Sequence, residues 1–165
     1  MNFNTSTTRV NYQGKAFWIE DGFIEILSHF VCDAFETIGL DSFNVSLKDI
    51  YEDCDMNRKY PDNANILLNE YITNPMDAAT LINVLEQAKS FKLAYGTEIT
   101  TQQLNLLEAP KDVYFRNNWI VPIKTASLIT TIIKIQQLLD GTFPAIVKSY
   151  HYQGFPGARP GEEII

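Results

Sequence analysis

The sequence predicts a helix-rich α+β domain, with helices packed on a small antiparallel sheet. Three observations carry this expectation. Several stretches keep apolar residues three or four apart, the spacing of half-buried helices. Two short runs near the start, Thr8–Tyr12 and Lys15–Ile19, alternate as strands do around a Gln13-Gly14 turn. Asn74-Pro75-Met76-Asp77 is the clearest helix start in the chain: Asn caps, Pro suits the first helical position and Asp follows in the first turn.

In chain order, residues 1–7 read as a loose end, followed by the hairpin. The long helix from Glu20 through Glu36, reaching about Ile38, is expected to bury Phe23, Leu27, Phe30, Val31 and Ala34, with Ile24, Ile26 and Phe35 at the margins. Asp21, Glu25, His29, Asp33 and Glu36 fall on the opposite, polar side, and Gly39 is placed to stop the helix in a left-handed conformation. Asp41–Val45 reads as a connector or short strand. Ser46-Leu-Lys-Asp49 has the form of a capping box, so a second helix is expected over Leu47–Met56. Asn57–Asn65 reads as a loop, and Ile66–Leu68 as the start of a short helix ending near Thr73.

The helix opened at Asn74 should run over Met76–Phe91, with Gly96 closing the segment. Thr100 or Thr101 caps another short helix through Leu107. Val113–Phe115 and Trp119–Ile123 flank Arg116-Asn117-Asn118 and predict a β-hairpin, with Pro122 marking an edge. A last long helix spans Ala126–Asp140, and Phe143–Tyr152 reads as a final strand. The Gly/Pro-rich residues beyond carry no core-forming pattern. A single domain over 1–165 is expected, with 1–7 and 154–165 as flexible ends. The named core is Leu27, Phe30, Val31, Leu81, Leu85, Ile132 and Leu139.

Composition narrows the function classes. The chain has 45% hydrophobic and 20% charged residues, ordinary globular values, and its aromatic content of 12% suits a firm core or a binding surface. Its polar beginning and the lack of an apolar run long enough to span a bilayer predict a cytoplasmic protein with no membrane segment. Cys32 and Cys54 are expected as reduced thiols. Net charge is −7 and unevenly placed: Glu20–Asp62 carries 11 acids against 3 bases, whereas the remainder is nearly balanced. Such a field disfavours nucleic acid and favours a basic protein partner.

No catalytic or cofactor motif emerges. Asp53-Cys-Asp55-Met-Asn57 matches the first three ligand positions of an EF-hand loop, but Arg58 stands where the turn needs Gly and Ala64 where the bidentate Glu belongs. His29, Cys32, Cys54 and His151 lack the close ligand pairs of a structural zinc site. Asp49, Glu52, Asp53 and Asp55 are close enough in sequence to share a metal ion in a small hydrolase, yet no Gly-rich phosphate loop or nucleophile frame accompanies them. The expectation is therefore no metal and no cofactor. Glu25, Asp33, Glu36, Asp49, Tyr51, Glu52, Asp53 and Asp55 are the candidate partner-binding residues, with Tyr51 as the aromatic anchor.

The acidic, aromatic-bearing block Glu20–Asp62, in a chain without catalytic residues, resembles the small, acidic, single-domain immunity proteins of bacterial toxin–antitoxin and contact-dependent inhibition systems. The resemblance lies in overall character. It implies a cytoplasmic inhibitor that docks on a basic toxin domain, its carboxylates covering a positive, nucleic-acid-facing groove. A metal-dependent hydrolase using the Asp/Glu cluster and a structural or assembly protein are the alternatives from other classes.

Overall fold

The structure is a computed structural model and describes residues 6–60, 64–144 and 161–165. Strands β1 (Thr7–Tyr12) and β2 (Lys15–Glu20) form the expected antiparallel hairpin, registered from Thr7 opposite Glu20 to Tyr12 opposite Lys15. Both turn residues have positive φ, 47° at Gln13 and 81° at Gly14, as a two-residue hairpin turn matching the strand twist requires. Alternation along β1 sends Thr8, Val10 and Tyr12 inward.

Helix α1 (Asp21–Ile38) follows β2 without a linker. Asp21 accepts hydrogen bonds from Ser6 Oγ (2.5 Å) and Thr8 Oγ1 (2.6 Å), which ties the helix start to β1. The helix is central and covered on several sides, so its buried surface is wider than one stripe. Ile24, Ile26 and Phe35, expected at the margins, are fully buried, and Phe23, expected in the core, is only half-buried. Gly39 ends the helix with φ 106° and ψ 114°, outside the left-handed helical region that its position suggested.

The segment read as a connector or short strand is a connector with a 3-10 turn at Leu40–Ser42, and α2 then runs over Val45–Lys59. Its cap is Asn44, whose side chain accepts from Leu47 N at 3.1 Å. Ser46 already lies in the first turn, so the capping box read there does not form. Helix α2 also continues through Asn57–Lys59, which read as loop. Helix α3 is the short Leu68–Tyr71, and α4 (Pro75–Ala88) starts at Asn74 as expected. Buried Asp77 accepts from Asn44 Nδ2 (2.8 Å) and Asn74 Nδ2 (2.7 Å), which joins the starts of α2 and α4. The predicted Met76–Phe91 helix breaks at Ala88, and α5 (Phe91–Tyr95) is separate, closing at Gly96.

Strand β3 (Glu98–Ile99) precedes α6 (Thr101–Glu108), which Thr100 and Gln103 cap reciprocally. The predicted hairpin over Val113–Ile123 does not form. Val113–Phe115 is a 3-10 turn, and β4 (Ile123–Lys124) pairs antiparallel with β3 instead. Helix α7 (Thr125–Asp140) ends at left-handed Gly141.

The predicted strand Phe143–Tyr152 lies mostly outside the described residues; within them, Phe143 is buried but not in a strand. Strand β5 (Glu162–Ile164) corrects the expected flexible end over those residues. It pairs parallel with β2, Ala16 opposite Glu162 and Trp18 opposite Ile164. The main sheet is therefore mixed, in the order β1-β2-β5.

The helix-rich α+β class holds, and every named core residue from Leu27 to Leu139 is buried. Aromatic contacts lock α1 to its neighbours. Phe30 stacks on Phe91 at 4.1 Å between ring centroids, and Phe35 meets Phe43 edge-on at 4.9 Å. Among the described residues, no helix is long and apolar enough to cross a membrane.

Candidate protein-binding surface

The acidic block does not form one surface. Helix geometry divides it, because residues three and four apart share a face. On one side of α2, Asp55 meets Arg58, and Arg58 Nη2 also reaches Glu36 of α1 at 2.9 Å. Lys59 pairs with the other Asp55 oxygen, and Asp33 stands 4.0 Å from Arg58 Nη1. Burial works to raise the Asp55 carboxyl, but its bonds from Lys59 and Arg58 hold it below the usual range. Tyr51 belongs to this side. Its hydroxyl donates to Glu36 Oε1 at 2.9 Å and its ring packs edge-on against Phe35, so burial and Glu36 push the phenol up to about 12. Asp33, Glu36, Tyr51 and Asp55 thus come together around Arg58 and Lys59, three carboxylates against two cations.

The other side of α2 carries Asp49, Glu52 and Asp53, joined by Glu70 of α3. Asp53 Oδ2 accepts Leu67 N at 3.0 Å, which anchors the chain entering α3 and brings Glu70 alongside. The Asp53 carboxyl is raised by partial burial and then by repulsion from Glu70, Asp49 and Glu52, against the lowering by Leu67 N–H. The same four carboxylates raise the Tyr71 phenol, Asp53 first. Among the described residues, none of the four has an ion-pair partner. This is the concentrated negative field that the composition foreshadowed, with Asp55 outside it and Glu70 inside it. Sequence reasoning missed Glu70 because the block was bounded at Asp62, ahead of the fold that returns α3 to α2.

Glu25 is corrected outright. It is fully buried and is no part of an exposed acidic face. Lys111 Nζ bonds Glu25 Oε1 and also Glu108 Oε2 at 2.7 Å, with Glu108 and Lys111 themselves buried. Asn117 Nδ2 donates to Glu25 Oε2 at 2.5 Å, while Asn117 N and Trp119 Nε1 each donate to Glu108 at 3.0 Å. Burial, then the hydrogen bond to Glu108, push the Glu25 carboxyl up to about 8 against the pull of Lys111. Glu108 is raised by burial but held below the usual range by bonds from Glu25, Lys111, Trp119 and Asn117. Burial therefore favours the protonated form of Glu25, while the donors around Glu108 favour its carboxylate. The cluster is a largely buried clasp for the 109–119 segment.

His29 sits on the same side of α1. Burial, then Lys111 and Arg58, lower its imidazole to about 4, and Nε2 is buried with no hydrogen-bond partner among the described residues.

Among the described residues the ligands of the metal readings are not brought together. Asp53 and Asp55 lie on different faces of a helix, and Asn57 is buried, donating to Ser28 Oγ (3.3 Å) and the Asn65 carbonyl (2.6 Å). Cys32 and Cys54 are buried free thiols. Burial pushes Cys54 up to about 12 and raises Cys32 as well. His151 lies outside the described residues. Among the described residues no three His, Cys, Asp or Glu side chains are grouped to hold a metal ion.

No known protein family matches the chain, and no curated protein or solved structure matches it either.

Proposed function

We propose that this protein is a binding inhibitor of the immunity type. It acts in the bacterial cytoplasm and neutralises a basic protein partner, such as a nuclease toxin domain, through an acidic surface. The observation that carries the reading is the patch Asp49, Glu52, Asp53 and Glu70, four carboxylates on α2 and α3 without an ion-pair partner among the described residues. Like charges held together cost stability in the free protein, and a basic surface relieves that cost on docking. Opposed potentials also steer encounter, so the partner is met quickly and its positive, nucleic-acid-facing groove is covered.

The cluster around Arg58 contributes less, because Glu36 and Asp55 already have an internal counter-charge. Tyr51 is a weaker anchor than its sequence position suggests, since its hydroxyl and ring are both engaged.

The test is affinity capture with the protein as bait, followed by co-expression with the captured partner. The expected result is a partner of basic pI whose toxicity is relieved by the parent protein. Relief should weaken when Asp49, Glu52, Asp53 and Glu70 become Asn or Gln. Toxicity that persists in the presence of a tight complex would refute inhibition, and a partner of acidic pI would refute the electrostatic reading.

A further inference from the structure

Helices α1 and α4 pack together, but the seam stays open where α4 gives way to α5. A cleft of about 90 Å³ remains there. Phe30, Asp33, Ala34 and Thr37 recur at three and four residues along α1, so they share the face that forms one wall. Gln87, Ala88, Ser90 and Phe91 form the other wall. Small side chains at Ala34 and Ala88 leave the space open. It equals the share of roughly three water molecules, room for the head of one side chain.

The cleft has an apolar floor and a polar rim. Phe30 and Phe91 are buried and stack at 4.1 Å between centroids, and Ala34 and Ala88 are buried beside them. Asp33, Thr37, Gln87 and Ser90 are exposed, and their side chains make no hydrogen bond among the described residues.

Asp33 stands apart from the other carboxylates of α1. Asp21 accepts from Ser6 and Thr8, Glu25 from Lys111 and Asn117, and Glu36 from Arg58 and Tyr51. Asp33 has only Arg58 Nη1 at 4.0 Å, and that guanidinium is already held by Glu36 at 2.9 Å and Asp55 at 2.8 Å. Partial burial, then repulsion from Glu36, raise the Asp33 carboxyl against the lowering by Arg58. Among the described residues no basic side chain lines the cleft, and the adjacent Lys89 is paired with Glu86.

We propose that this cleft is a recognition site for one arginine side chain of a basic protein partner, entering over Phe30 and Phe91 and pairing with Asp33. Charge fixes the sign of the occupant, since Asp33 and Glu36 both repel an anion. The aromatic floor fixes its kind: a guanidinium is planar, weakly hydrated and lies well on aromatic rings, whereas an ammonium is compact and strongly hydrated. Its several N–H donors match the rim acceptors of Asp33, Thr37, Gln87 and Ser90. The proposal rests on the reading of this protein as a binder of a basic partner. It adds a point where a single partner residue is read, separate from Asp49, Glu52, Asp53 and Glu70, none of which lines the cleft.

The test titrates the full-length protein with N-acetyl-arginine N-methylamide and follows backbone amide shifts by NMR. Capped citrulline keeps the shape without the charge, and capped lysine keeps the charge without the plane. Capped arginine should give saturable shifts at Asp33, Ala34, Ala88 and Phe91, with affinity about 3-fold or more above either control. Asp33→Asn should remove that advantage over citrulline, and Thr37→Trp, which fills the mouth from an exposed position, should abolish the shifts.

No saturable shift at these amides up to tens of millimolar would overturn the proposal. So would equal binding of capped citrulline, or an Asp33→Asn variant that binds capped arginine as the parent does. Equal binding of capped lysine would overturn the assignment to arginine. Failure at the cleft is distinguishable from failure of the wider reading, which is measured with the captured partner and the variant at Asp49, Glu52, Asp53 and Glu70.

Discussion

Replacing Lys111 by Met removes the ammonium that Glu25 and Glu108 share while keeping most of the side-chain volume. The two glutamates are buried and cannot turn to water for compensation. Breaking a buried ion pair from one side typically costs about 3–5 kcal/mol, because a charge is left without its partner. Glu108 keeps donors in Trp119 Nε1 and Asn117 N, both at 3.0 Å, together with its hydrogen bond to Glu25. These place Lys111→Met near the lower end, at about 3 kcal/mol. For a chain of this size that lowers Tm by roughly 6–12 °C.

The loss should be local before it is global, since the clasp holds the 109–119 segment. Urea unfolding at pH 6 gives the stability, and limited proteolysis should cut between Lys111 and Arg116 faster than in the parent. A loss under about 1 kcal/mol with unchanged cutting would refute the account of the cluster as a clasp.

Three further outcomes follow from the same contacts. Glu25, pushed up to about 8 from an ordinary 4.5, keeps in the folded state a proton that the unfolded chain releases, so its stabilisation is full below 4.5 and lost as pH rises through 8. His29, lowered from 6.5 to about 4, works the other way: its contribution is full above 6.5 and lost as pH falls through 4. The two oppose each other between those ordinary values, so urea unfolding across pH 6.5–8 should show a decline of at most about 1.4 kcal/mol per pH unit, absent in Glu25→Gln; an equal decline in that variant would assign it elsewhere. Glu162, buried and accepting from Arg9 (2.7 Å) and Trp18 Nε1 (3.0 Å), fixes β5 on the sheet, so Glu162→Gln should cost about 1.5–3 kcal/mol by thermal melting, and a Tm within error of the parent would contradict this. Neutralising Asp49, Glu52, Asp53 and Glu70 together should leave the fold intact and raise stability slightly, by up to about 1 kcal/mol in low salt, and a marked loss would mean that the patch holds the helices together.

Local signals in the sequence located the helices well. Asn74-Pro75 and Thr100, one of the two threonines read as a cap, act through caps and backbone preferences that need no distant partner. The N-terminal hairpin was legible for the same reason. Where a distant contact decides, the reading missed. Val113-Tyr-Phe has strand-forming residues, but Arg116 and Asn117 are held by the Ala109 and Lys111 carbonyls and by Glu25 and Glu108, so no hairpin turn is left to form.

Glu162 and Glu163 read as tail because nothing nearby suggests that Arg9, Trp18 and Lys134 await them. Glu25 looked like one more acid on a polar face. The apolar residues on both sides of it, Phe23-Ile24 and Ile26-Leu27, were the available signal that the position was enclosed. The charge count located the acidic region, but only the packing of α3 beside α2 separated Asp55, with its two bases, from the unneutralised patch that Glu70 completes.

The central claim is that this patch steers a basic partner, and the association rate measures it most directly. Stopped-flow mixing of the parent, and of the Asp49→Asn/Glu52→Gln/Asp53→Asn/Glu70→Gln variant, with the captured partner is repeated across a salt series. The account predicts an on-rate for the parent that falls steeply with salt, and a variant about 10-fold or more slower at low salt that converges with the parent as screening shortens the field. Equal on-rates for the two proteins at low salt, with no salt dependence in the parent, would contradict it and leave Asp49, Glu52, Asp53 and Glu70 as an ordinary solvated face.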